Sequence, residues 1–199
     1  MKKRNYLLGI EMWVVGVSAT NAIVFFATGS AISWNIAHFF DEFSRGFGMP
    51  IIAVAGLMAI THDYRPSVRM DVLLFAVASV ITLAFVTTDF FDDFLPYYNL
   101  VMWTLFSVYL AYFIKRLLNV GAGFQAIVLL LGLVTSQAIA CVYDFYKIPG
   151  DETNIVFNFY TLALCSWAYF MPAVYYAYCA LERSCNQGLA VSRPVPFRN

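Results

Sequence analysis

Long apolar runs, broken by short polar stretches, fill this chain from one end to the other. Six runs approach the ~20 residues that an α-helix needs to cross a bilayer core. They cover residues 6–27, 49–60, 72–88, 97–114, 124–142 and 155–180. The second run is short, and Gly46, Gly48 and Pro50 loosen its first turn, so its helix is expected to begin near Phe43 or Phe47. Short breaks between runs make consecutive helices antiparallel neighbours. The expected fold is an all-α integral membrane protein, with six transmembrane helices arranged as three antiparallel hairpins.

The breaks on one side resemble one another. His38-Phe39-Phe40-Asp41-Glu42-Phe43 returns as Asp89-Phe90-Phe91-Asp92-Asp93-Phe94 and, more loosely, as Val142-Tyr143-Asp144-Phe145-Tyr146. Drawn as a helix, residues 34–47 put Ile36, Phe39, Phe40, Phe43 and Phe47 on one face. Asn35, His38, Asp41, Glu42 and Arg45 fall on the other. Residues 89–95 divide in the same way. Such a pattern predicts short amphipathic helices lying in the outer interface, with Ser33 capping the first.

Composition removes the soluble alternatives. The chain is 61% hydrophobic and 12% charged, where a soluble domain averages about 45–50% apolar and about 25% charged residues. Lipid must solvate most of that surface. The net charge of zero conceals a strong asymmetry. One side receives Lys2, Lys3, Arg4, Arg65, Arg69, Lys115, Arg116, Arg183, Arg193 and Arg198, and the other only Arg45 and Lys147. The basic side faces the cytoplasm. The expectation is a multi-pass protein of the plasma (inner) membrane with both termini cytoplasmic. Most acids lie on the opposite side. The first run reads as a retained helix, because Glu11 interrupts what would be a signal-peptide core and apolar character continues to Ile32. Residues 1–184 form the transmembrane domain, and residues 185–199, with Pro194 and Pro196, read as a flexible cytoplasmic tail.

Candidate chemistry is sparse. In the outer caps, His38/Asp41/Glu42 and Asp89/Asp92/Asp93 follow i, i+3, i+4 spacing, which gathers each set on one helical face. With Asp144 of the third cap they form an acidic, aromatic surface suited to a basic partner or a cation, or one that simply solvates an interfacial helix. Inside the spans, Glu11 is the single acid and shares a face with Asn21. On the last run, Asn158, Thr161, Cys165, Tyr169 and Tyr176 make a polar stripe. Together with Glu11 that stripe either lines a path or bonds helices to one another. The four cysteines have neither paired nor metal-site spacing. HExxH, GxSxG and P-loop patterns are absent. No enzyme, cofactor or metal is expected, and no basic surface offers itself to nucleic acid. The expected partners are the lipid bilayer, further copies of the chain or other membrane proteins. The expected role is assembly, as a homo-oligomer or as a subunit of a membrane complex. The alternative is a small channel or solute carrier for cations or neutral solutes.

Overall fold

The computed structural model describes residues 5–146 and 159–191, and every regular element among them is helical. Helix α1 (Tyr6–Thr28) is capped by Asn5, whose side chain accepts from the Leu8 amide. It ends at Gly29 in the left-handed conformation (φ 70°), a geometry that costs glycine little. Ser30 then caps α2 (Ala31–Phe43). The chain continues without a break through a π-helical segment, Ser44–Ala53, into α3 (Val54–Thr61). These three pieces make one rod, Ala31–Thr61. After a loop come α4 (Val68–Thr87), a single 3-10 turn (Asp89–Phe91), α5 (Leu95–Asn119), α6 (Gly123–Val142) and α7 (Phe159–Val191). Among the described residues, five helical stretches are long and apolar enough to cross a membrane: α1, the rod, α4, α5 and α6. In α7, repeated tyrosines thin the apolar run, although the helix has 33 residues.

The expected caps and tail take another form here. Residues 34–47 form no separate short helix; they are the first half of a rod long and apolar enough to cross a membrane, and its cap is Ser30 rather than Ser33. Cap two reduces to one turn, with no amphipathic helix over residues 89–95. In the supposed tail, α7 runs past residue 185 to Val191.

Packing follows the small and the large side chains. The rod lies antiparallel to α1: Asn5 donates to the Gly56 carbonyl at 2.8 Å, while Ser18 donates to the Ala37 carbonyl at 3.0 Å. The main core joins Trp103, Phe106, Leu110 and Phe113 of α5 to Leu129 of α6 and Phe170 of α7. Met49 and Leu57 of the rod close it. Trp103 and Trp167 stack at 5.6 Å, and Phe106 meets the edge of Phe170 at 5.9 Å. Phe170 seats against the bare face of Gly132, where an added Cβ would lie 2.9 Å from its ring. Polar bonds tie the same helices: Ser136 with Ser166 at 3.1 Å, and Ser107 donating to Gln137 at 2.6 Å. Helix α4 stands apart. A second, smaller cluster (Leu7, Phe43, Phe47, Ile52 and Ala78) holds it, and only Ala78 and Thr82 of α4 are buried.

Candidate functional site: a buried arginine among three carboxylates

The rod places Asp41 and Glu42 four and three residues before Arg45, so the guanidinium folds back along its own helix to both. Its Nε lies 3.2 Å from Asp41 Oδ2, off line for a hydrogen bond, and its Nη2 bonds Glu42 Oε1. The third carboxylate comes from far along the chain. Asp144, just beyond α6, takes Arg45 Nη1 on both oxygens, at 2.9 and 2.7 Å. The neighbouring Tyr143 ring covers the guanidinium at 4.5 Å, and its hydroxyl lies 3.5 Å from Asp41 Oδ2. From α5, Asn99 donates to Glu42 Oε2 at 3.0 Å. Asp41, Glu42 and Asn99 are buried, and the Arg45 side chain is 12% exposed.

Arginine suits this position. Its charge is permanent, and its planar fork can meet several carboxylates at once. Burying such ions is costly, and the geometry offsets that cost only while every partner stays in place. The arrangement therefore locks one level of the rod to α5 and to the end of α6.

A further buried acid sits at the same level on another face of the rod. Glu11 of α1 is 1% exposed. Its Oε1 accepts from the Ser44 hydroxyl at 2.8 Å, while Oε2 has no partner among the described residues. Its carboxylate occupies the space that a side chain at Gly48 would need: a Cβ there would fall 2.1 Å from Oε1. Thus Ser44 and Gly48 face α1, while Glu42 and Gly46 face α5. Pro50 lies within the π segment and has no N–H to give. The Gly46 carbonyl accepts from the Tyr98 hydroxyl at 3.3 Å, a bond that ties the π segment to α5.

The structure brings together only some of the residues singled out from sequence. Asp41, Glu42 and Asp144 converge, but on Arg45 in the interior rather than on an outer surface. His38 is exposed and stacks on Trp34 at 6.0 Å, apart from the two acids that share its spacing. Asp89, Asp92 and Asp93 are exposed on cap two, beside Phe90 (83% exposed) and Phe94 (53%). Nor, among the described residues, does the polar stripe of α7 meet Glu11. Cys165, Tyr169 and Tyr176 are exposed, and Thr161 is half-buried. Tyr169 spends its hydroxyl on the Val128 carbonyl at 2.9 Å. Asn21 donates within α1 to the Val17 carbonyl at 2.9 Å. Asn158 lies outside the described residues. Among the described residues, no group of three or more His, Cys, Asp or Glu side chains is arranged to hold a metal ion.

Sequence reasoning left out Arg45, Ser44, Gly48, Asn99 and Tyr143 as site residues. One signal was available: Arg45 is one of two cations on its side of the chain and stands at i+3 and i+4 from two acids. No known protein family, curated protein or solved structure matches this chain.

Proposed function

We propose that this chain is a non-enzymatic six-span protein of the plasma (inner) membrane, with both termini cytoplasmic, that works through assembly with further copies of itself or with other membrane proteins. Helix α7 supplies the sixth span; its 33 residues exceed the ~20 a crossing needs. The carrying observation is the contrast among the three caps. Caps one and three satisfy each other through Arg45 and Asp144. Cap two leaves Asp89, Asp92 and Asp93 outward beside an exposed Phe90, at the end of the most loosely packed span. Aromatic anchors among acids suit a basic partner. The test replaces Asp89, Asp92 and Asp93 with Asn and Phe90 with Ser, and measures complex mass by light scattering in mild detergent. Association should weaken while helix content is unchanged; an unchanged complex would remove cap two from the interface.

A second reading, a small channel or carrier for cations or neutral solutes, draws on the buried Glu11 and Arg45. Intramembrane charge marks ion and solute pathways in many membrane proteins. It predicts that Glu11→Gln abolishes flux in liposomes while expression persists. Undiminished flux in that variant would take Glu11 out of the path.

A further inference from the structure

Two adjoining cavities open along one flank of the bundle. The first, about 760 Å³, lies where α1 begins, α3 ends and α4 begins, and α7 forms its far wall. The second, about 610 Å³, continues between α1 and α4, walled by Ile10, Val72, Phe75, Ala76 and Ser79. Tyr6, Val68 and Asp71 line both, so the two form one continuous groove.

Its two ends differ in chemistry. The first cavity carries the carboxylates of Asp63, Asp71 and Glu182 and the guanidinium of Arg65, which pairs with Asp63 at 2.8 Å on an exposed edge. Its polar end sits where helices terminate: Asn5 caps α1 and Ser67 caps α4. The second cavity is almost wholly apolar and runs along the first turns of α1 and the first half of α4, two helices long and apolar enough to cross a membrane. A molecule complementary to the whole groove has an ammonium group, an anionic group close beside it, and a long apolar tail.

We propose that this groove binds one phospholipid with an amine-bearing headgroup. The amine meets Glu182 and Asp63, the phosphate meets Arg65, and one acyl chain lies between α1 and α4. Charge complementarity selects this occupant: among the described residues the polar end offers three carboxylates against one guanidinium, so a purely anionic headgroup meets repulsion. The weak burial of α4 leaves the slot open without displacing a core side chain. The inference rests on the membrane reading above and on nothing about assembly.

Native mass spectrometry tests it, with the protein in nanodiscs of equimolar phosphatidylethanolamine and phosphatidylglycerol of matched chains. One phosphatidylethanolamine should stay bound through stepwise activation, at about tenfold preference over phosphatidylglycerol. Asp63→Asn with Glu182→Gln should level that preference while a lipid is still retained. Ala76→Trp fills the slot and should strip retention of both lipids, and Ser79→Leu, a milder change, should reduce it. Equal retention of the two lipids by the unaltered protein overturns the amine assignment. Retention that ignores both slot variants overturns the location. A second copy of the chain protecting the slot, with no lipid held, overturns the occupant. A helical protein that enters nanodiscs yet retains no lipid sinks this proposal and leaves the membrane reading standing.

Discussion

Replacing Arg45 with Met removes the one cation that the described residues place among three carboxylates, while keeping much of the side chain's length. In the structure Arg45 meets Asp41, Glu42 and Asp144, and its side chain is 12% exposed. Removing one partner of a buried ionic group costs about 3–5 kcal/mol, because the remaining charges lose their compensation. That is a large share of the about 5–15 kcal/mol that holds a folded domain together. A second change decides whether the cost has this origin. Asp41→Asn in the native background weakens an ion pair and should destabilise. In the Arg45→Met background the same change removes one uncompensated charge and should stabilise, by about 1 kcal/mol or more. The assay is unfolding in mixed micelles of dodecyl maltoside and dodecyl sulfate, followed by circular dichroism, on all four members of the cycle. The sign reversal is the signature. If Arg45→Met stays within about 0.5 kcal/mol of the native protein, as exposed substitutions do, or if Asp41→Asn acts alike in both backgrounds, the buried cluster does not exist as described.

Gly48→Ala places a methyl group 2.1 Å from Glu11 Oε1, inside contact distance; the same micelle titration should show a loss of about 1–3 kcal/mol. Shortening the partner with Glu11→Ala should recover much of that loss, and no recovery would mean that α1 does not pack on the rod at this register. Tyr98→Phe removes the donor to the Gly46 carbonyl and should cost about 1 kcal/mol. The variant should also speed amide exchange over the π segment, Ser44–Ala53, read by hydrogen–deuterium exchange mass spectrometry; unchanged exchange there would mean that Tyr98 does not hold that segment.

The sequence carried the helices well and their faces poorly. Apolar length located α1, α4, α5 and α6 to within a few residues, because length and hydropathy alone decide what lipid will accept. The error lay in the direction of polar faces. The logic of an interfacial helix turns the polar face of residues 34–47 outward. Inside a bilayer the reasoning inverts: Asp41 and Glu42 find partners only in the protein, while Ile32 and Ile36 are free to face lipid. Although Tyr169 still bonds the Val128 carbonyl of α6, helix α7 likewise turns much of its polar stripe away from the core. Its packed face is built from Ala163, Ala173, Ala177 and Ala180 with Phe170 and Leu181, small residues that allow close approach and large ones that fill the gaps. Tyr169, Tyr175 and Tyr176 take the exposed side. Asp144 meeting Arg45 was beyond any local pattern, since 99 positions separate them. Sequence periodicity placed their caps on a common side but gave no means of pairing them.

Native mass spectrometry of the protein released gently from its own membrane tests the assembly claim most directly. The account predicts a defined oligomer, or stoichiometric protein partners, and a loss of that mass when Asp89, Asp92 and Asp93 become Asn. A lone chain carrying a bound solute, unchanged by the same substitutions, would contradict it.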